Sequence, residues 1–140
     1  MIKVKLLNKS AKVPTKATEG SAGYDIYSTV DALIIPGTSA KINTGIALQI
    51  PTGNVGLLTH RSSLGFRLDT ISSFGIIDSD YRGEVKVKLL NLGSDGVQIK
   101  KGDRVAQLVV VPIWSQQNLI VTDELSETQR GEGGFGSTGV

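Results

Sequence analysis

Apolar and polar residues alternate in short runs along the chain, and this spacing predicts β-strands. Residues 2–7 alternate charged with apolar side chains, which places the two kinds on opposite faces of a strand. Further β-type runs are cut by Pro-Gly, Thr-Gly and Pro-Thr-Gly, and they are residues 22–28, 33–35, 40–43, 46–50 and 55–60. Because strand follows strand with little chain between, we predict an antiparallel meander rather than alternating strands and helices.

The second half of the chain continues in the same way. In residues 85–89 the apolar side chains fall on one face and Lys86 and Lys88 on the other. Residues 104–112 predict a largely buried strand that contains Gln107. A buried amide needs hydrogen-bond partners, so Gln107 either pairs within the sheet or at a subunit contact, or reaches a ligand.

One helical turn is predicted to begin at Arg61-Ser62-Ser63, where hydroxyls can cap free backbone N–H groups. The same residues suit an anion site, because a guanidinium, hydroxyls and a helix start all offer donors to phosphate oxygens. Spacing alone favours neither interpretation. His60, the sole histidine, lacks a second metal ligand nearby and is interpreted as a strand residue. Trp114 is interpreted as an apolar anchor near a strand end.

Composition limits the possible functions. A chain of 140 residues fits one domain with a substantial core. The absence of cysteine excludes disulfides, thiolate catalysis and cysteine-bound metal, and favours a cytoplasmic protein. The net charge of +2 is small and the basic residues are scattered, so we expect no nucleic-acid partner. The N-terminus lacks a long apolar run, so we expect neither a signal peptide nor a membrane span.

The densest cluster of reactive side chains lies in residues 75–85, which hold Asp78, Asp80, Tyr81 and Arg82 between glycines. In an extended strand the two aspartates share a face, unless a turn redirects one of them. One of them is a candidate general base. Asp-Ser-Asp is also common turn chemistry, because short polar side chains bond to their own backbone.

The C-terminal residues 130–139 contain five glycines around a lone aromatic, Phe135. Fixing such a segment costs about 1–2 kcal/mol of backbone entropy per residue, so we expect it to be mobile when nothing is bound. A disordered end is one interpretation. The alternative is a backbone that wraps an anion, with Phe135 supplying a flat face.

Five stretches in this order resemble the signature of the trimeric dUTP pyrophosphatase (dUTPase) family; they are residues 22–28, 61–65, 75–85, 102–108 and 130–139. The resemblance implies an all-β fold, a distorted jelly-roll or β-clip barrel of short strands with one short helix. It implies a core domain of residues 1–125 and a flexible glycine-rich arm of residues 126–140. It also implies a homotrimer, with active sites at subunit contacts that the arm closes.

By the same likeness the chain hydrolyses dUTP to dUMP and pyrophosphate, which limits uracil in DNA and supplies dUMP for dTMP synthesis. Asp78 would activate the water that attacks the α-phosphorus. Tyr81 would lie beneath the deoxyribose and exclude a 2′-hydroxyl. The backbone of residues 72–77 would read the uracil edge, with Ser72, Ile76 and Ile77 among the substrate-binding residues, and Lys86 belongs to the same predicted set.

The triphosphate would be held by Arg61, Ser62 and Ser63, with Gln107 from a neighbouring subunit. Mg²⁺ would bind mainly the phosphates and water, with Asp25 near a metal-bound water. In the arm, Phe135 would stack on uracil while three residues close over the γ-phosphate; they are Arg130, Gly136 and Ser137.

Two positions depart from the family pattern, because Ser63 stands where many members have Gly and Ser72 stands near a position that is often Asn. Two alternative functions remain. A dCTP deaminase of the same superfamily would carry a Glu in the strand after residue 84, but residues 88–90 supply no acid. A non-catalytic nucleotide-binding regulator is the other alternative.

Overall fold

The computed structural model describes residues 1–114 and 119–134. Ten strands and one helix make up its regular structure, which confirms the predicted all-β class with one short helix. In chain order they are β1 (Lys3–Leu6), β2 (Tyr24–Tyr27), β3 (Ala32–Ile34), β4 (Ser39–Gln49), β5 (Asn54–Thr59), α1 (Ser62–Leu68), β6 (Thr70–Ser72), β7 (Gly75–Ile77), β8 (Glu84–Asn91), β9 (Val97–Ile99) and β10 (Arg104–Pro112).

The strands form two four-stranded sheets, ordered β1-β4-β8-β6 and β2-β10-β5-β7, and a β3-β9 pair. Every strand pairing is antiparallel. The predicted meander is wrong, because strands adjacent in sequence, such as β4 and β5, lie in different sheets. Alternation identifies a strand but carries no information about its partner. In the described part of the chain the sheets stay open and do not close into one barrel.

The core lies on the faces that the alternation predicted. On β8, Val85, Val87 and Leu89 are no more than 1% exposed, while Lys86 and Lys88 face solvent. Isoleucines and leucines of both large sheets pack against them. Burying an aliphatic side chain of this size contributes about 1.5–3 kcal/mol, so this face fixes the register of the central strand.

Strand β4 runs through the Thr44-Gly45 step, where the sequence predicted a break. Its pairing with β8 shifts register between Asn43 and Ala47, and Gly45 has a φ of 67°. Gly45 N donates to Glu84 Oε1 at 2.9 Å, and the Thr44 hydroxyl donates to the Val85 carbonyl. The register shift leaves polar groups of β4 without their regular hydrogen bonds to β8, and these two bonds replace them. The strand therefore forms a β-bulge and continues.

The predicted helix is present, but its N-terminus is built differently from the prediction. Arg61 is the N-cap residue, and no side chain caps the helix. The Ser63 hydroxyl instead accepts a hydrogen bond from Arg61 Nη1 at 3.3 Å. The hydroxyl therefore holds the arginine rather than the start of the helix.

Trp114 lies two residues beyond β10, but it is 71% exposed and anchors nothing within the described chain. The prediction of an apolar anchor is therefore wrong for the single chain. His60 lies one residue beyond β5 with an exposed side chain. No helix in residues 1–114 and 119–134 combines the length and the apolar character that crossing a membrane requires.

Asn91 is expected to be a large contributor to stability, although its sequence context marks only the start of a turn. It is 1% exposed; its Nδ2 donates to the Ile34 and Asp95 carbonyls at 2.8 and 2.7 Å, and its Oδ1 accepts from Gly93 N at 3.0 Å. Asn91→Ala leaves these three backbone groups without their hydrogen-bond partners. It should lower the free energy of unfolding by about 2–4 kcal/mol.

Urea denaturation measures this effect, with Asn54→Ala as the matched control. Asn54 is half-buried at the start of β5, and its side chain makes only two long bonds, of 3.3 and 3.4 Å, to carbonyls of the preceding turn. Equal shifts of the urea midpoint in the two variants would contradict the role given to Asn91.

Candidate active site

A four-residue turn at the end of β7 places Asp78 and Tyr81 side by side. The strand ends at Ile77, and Tyr81 N donates to the Asp78 carbonyl at 3.2 Å. Arg82 Nη1 donates to the Ser79 and Tyr81 carbonyls, at 2.8 Å each, and so braces the turn. The turn therefore redirects the chain after Asp78, so Asp78 and Asp80 do not lie along one extended strand.

The Asp78 carboxylate is exposed and faces a cavity of about 490 Å³, called here the Asp78 cavity. Among residues 1–114 and 119–134, no group donates a hydrogen bond to this carboxylate. Its oxygens are therefore free to bind and orient a water molecule. The cavity is lined by Leu58, Ser73, Gly75, Ile76, Ile77, Asp78, Tyr81, Glu84, Val85 and Lys86.

One wall of the Asp78 cavity is the open edge of a sheet. Strand β7 pairs with β5 on one side, with Ile77 opposite Gly56, and is the last strand of its sheet. An edge strand presents main-chain N–H and C=O groups to whatever lies beside it. The cavity therefore offers backbone donors and acceptors next to Asp78 and Tyr81.

The predicted phosphate-binding residues lie in a second cavity, of about 270 Å³, called here the Asp25 cavity. It contains Asp25, Arg61, Ser62 and Gln107, and it shares no lining residue with the Asp78 cavity. Ser63 adjoins it through its bond to Arg61. Within one chain, the structure thus separates the predicted base and sugar residues from the predicted phosphate residues.

Asp25 joins two arginines across the sheet. Arg61 Nε donates to Asp25 Oδ1 at 2.8 Å, and Arg104 Nη1 donates to Asp25 Oδ2 at 3.2 Å. The Asp25 side chain is 12% exposed, so the ion pair between Asp25 and Arg61 is only weakly screened by solvent. Arg61 Nη1 also donates to Ser63 Oγ at 3.3 Å and to the Arg104 carbonyl at 3.4 Å, so its guanidinium is held in one orientation at the cavity.

Gln107 has a hydrogen-bond partner within its own chain, and its contact with a ligand stays a prediction. Its Nε2 donates to the His60 carbonyl at 3.0 Å within its own chain, and its side chain also lines the Asp25 cavity. Gly23 allows this position, since a Cβ there would lie 2.9 Å from Gln107 Oε1. The amide is thereby fixed against the start of α1.

Two of the remaining predicted residues, Ser72 and Arg130, fall outside both cavities. Ser72 is 6% exposed, its hydroxyl has no partner in the described chain, and Ser73 rather than Ser72 lines the Asp78 cavity. Arg130 is exposed and bonds to the Gly133 carbonyl at 2.8 Å. Three predictions lie outside the described residues; they are Phe135, Gly136 and Ser137.

Two residues that the sequence reasoning left out also belong to these sites: Arg104 holds Asp25, and Glu84 lines the Asp78 cavity. Glu84 Oε2 lies 3.7 Å from Lys86 Nζ. Arg104 and Glu84 both lie within the stretches that carried the resemblance, so their position was a usable signal.

The described residues contain no cluster of three or more His, Asp or Glu side chains that could hold a metal ion. Both oxygens of the Asp25 carboxylate are engaged by guanidinium groups. The described chain therefore supplies no coordination shell of its own for Mg²⁺, whose preferred ligands are several oxygens.

Comparison with known proteins supports the same interpretation. The dUTPase family profile matches residues 9–139. The deoxyuridine 5′-triphosphate nucleotidohydrolase of Nautilia profundicola is 44% identical over 140 residues, covering 99% of this chain and 98% of that protein. The dUTPase of Staphylococcus bacteriophage 80alpha with dUpNHpp is 34% identical with a TM-score of 0.93, covering 100% of this chain and 99% of that chain.

A mutant dUTPase from phage phi11 of S. aureus, whose structure is described as revealing the coordination of a structural Mg(II) ion, is 31% identical with a TM-score of 0.82. The alignment covers 89% of this chain and 97% of that chain. A match over nearly all residues in sequence and in fold is specific, and this chain belongs to the dUTPase family.

Proposed function

We propose that the protein is a dUTP diphosphatase, which hydrolyses dUTP to dUMP and pyrophosphate. The observation that carries the proposal is the meeting of Asp78, Tyr81 and the open edge of β7 at one cavity. A carboxylate, an aromatic ring and free backbone groups are what a water-activating site for a nucleotide requires. Family membership agrees with this assignment.

The base is read by the backbone of residues 72–77, whose open edge lies along β7. Uracil offers an acceptor, a donor and a second acceptor along one edge, which a strand edge can match. Cytosine presents a different order of donors, which leaves buried groups unpaired and costs binding free energy. Tyr81 lies beneath the deoxyribose, where its ring leaves no space for a 2′-hydroxyl.

Asp78 acts as the general base. Its carboxylate orients a water molecule, accepts a proton from it, and so directs the oxygen at the α-phosphorus. The bond between the α-phosphorus and the bridging oxygen breaks, and pyrophosphate leaves. The proton passes to the carboxylate and then to solvent, which the exposed position of Asp78 permits.

The triphosphate is held by Arg61, Ser62, Ser63 and Gln107 of a neighbouring copy of the chain. The support for a shared site is the separation of the two cavities within one chain. Exposed apolar side chains also favour assembly, including Phe66 at 91% exposed and Phe74 at 64%. A homotrimer of this kind places an Asp78 cavity beside an Asp25 cavity at each subunit contact.

Mg²⁺ would be held mainly by the phosphates of the substrate and by water, since the described residues offer no metal cluster. When bound it neutralises phosphate charge and helps to orient the α-phosphate. Asp25, held by Arg61 and Arg104, contacts the hydration shell of the ion rather than the ion itself.

A substrate panel tests the function. Pyrophosphate release is measured with dUTP, dCTP, dTTP and UTP, and kcat/KM for dUTP should exceed each of the others by about 10³-fold or more. Cytosine mismatches the hydrogen-bonding groups of the site, while the methyl group of thymine and the 2′-hydroxyl of UTP lack space. Light scattering on the same sample measures the assembly. Ammonia release from dCTP, or equal cleavage of all four nucleotides, would contradict the proposal.

A further inference from the structure

The ring of Tyr81 lies directly against Gly83. A Cβ placed on Gly83 would lie 2.6 Å from Tyr81 Cζ and 3.0 Å from Cε2, with the phenol oxygen closer still. Carbon atoms in contact normally lie about 3.5–4.0 Å apart. Position 83 therefore accepts no side chain while the ring stays where it is.

The need for glycine here comes from the ring and not from the backbone. The glycines with positive φ are Gly37, Gly45, Gly53, Gly102 and Gly131, so Gly83 has a conformation open to any L-residue. Alanine at position 83 would fit the backbone. Its Cβ would, however, clash with the Tyr81 ring.

The ring is also tied at its far end. Tyr81 Oη donates to the Glu84 carbonyl at 3.1 Å, and Tyr81 N donates to the Asp78 carbonyl at 3.2 Å. The side chain thus folds back across Gly83 and is fixed at both ends. Tyr81 lines the Asp78 cavity and Gly83 does not, so a side chain at position 83 that displaces the ring changes the wall of the cavity.

We propose that Gly83 is a positioning residue for the sugar site: the absence of a side chain there sets how far the Tyr81 ring projects into the Asp78 cavity. This inference rests on the proposed function, in which Tyr81 lies beneath the deoxyribose. With alanine at position 83, the ring loses its bond to Glu84 and occupies the space that the deoxyribose needs. Asp78 stays in its turn, since the main-chain bond between Tyr81 and Asp78 is untouched.

A double-mutant cycle tests the proposal with Gly83→Ala, Tyr81→Ala and the double variant. Gly83→Ala should raise KM for dUTP about tenfold or more while kcat changes less than about threefold. The reason is that binding of the substrate is weakened while the general base, Asp78, stays in place. In the Tyr81→Ala background the same glycine substitution should change KM less than about twofold, since no ring remains to be displaced.

Gly20→Ala is the matched control, because nothing lies within 4 Å of a Cβ at that position. It should leave KM and kcat unchanged. An equal loss from Gly83→Ala in both backgrounds would overturn the proposal, because the effect would then not act through the ring. So would an unchanged KM in the single variant.

A crystal structure of the Gly83→Ala variant tests the packing step without substrate. The expected result is a Tyr81 ring displaced toward the cavity and separated from the Glu84 carbonyl. A ring in its original place would overturn the inference whatever the activity. Failure of the unmodified protein to cleave dUTP would instead overturn the proposed function, so the two failures are distinguishable.

Discussion

Asp78→Asn is expected to remove nearly all dUTP hydrolysis while leaving nucleotide binding largely intact. Asparagine keeps the size and the turn position of the side chain but cannot accept a proton from the attacking water. General-base catalysis contributes about 10²–10⁴-fold, so kcat should fall by that factor. The dissociation constant of dUpNHpp, measured by calorimetry, should change less than about threefold, because Asp78 contacts the water and not the base or the sugar.

The matched control is Asp80→Asn, which removes the same charge two residues away. Asp80 is exposed in the same turn but does not line the Asp78 cavity. Its kcat should stay close to that of the unmodified protein. If Asp78→Asn keeps full turnover, or if both variants lose activity equally, Asp78 is not the base.

Deleting residues 130–140 is expected to lower kcat/KM for dUTP by about 10²-fold or more while leaving the trimer intact, since contacts that position a reacting group are worth at least that much. The described part of this arm contacts only itself. Arg130, Gly131 and Gly133 bond with residues at most three positions away, and the side chains from residue 121 to 132 are exposed. Residues 130–134 form no hydrogen bond to the core.

The arm is expected to act through the triphosphate. Ordering it costs about 1–2 kcal/mol per residue, which only a ligand with a full set of phosphates offsets. Truncation should therefore weaken binding of dUpNHpp but leave the affinity for dUMP unchanged. Glu132→Gln, which keeps the arm at full length, serves as the control. Full activity of the truncated protein would show that the arm has no role in closure.

Much of the site was predictable because its residues lie close together in sequence. Asp78 and Tyr81 are three residues apart, and a single turn brings them to one cavity. The turn and the candidate base, which the sequence offered as alternatives, occur together. Turn chemistry fixes the backbone, and this leaves the carboxylate free.

Contacts between strands distant in sequence were not predictable. Asp25 meets Arg61 and Arg104, residues 36 and 79 positions away, because β2 and β5 both pair with β10. Alternation places an acid on a face of β2 but does not indicate which strand lies beside it. The predicted break at Thr44-Gly45 failed for a related reason, since Glu84 from another strand satisfies the bulge.

The amino-acid sequence by itself determined the class of fold, the faces of the strands and the residues available for chemistry, because side-chain periodicity and reactive groups are local properties. The tertiary structure alone decided which strands are partners, that Asp25 bridges two arginines, and that Gly83 lies beneath Tyr81. It also decided that the two halves of the predicted site lie in separate cavities of one chain. All of these features depend on contacts between residues that are far apart in sequence or folded back on one another. Only the packing of the chain sets such contacts.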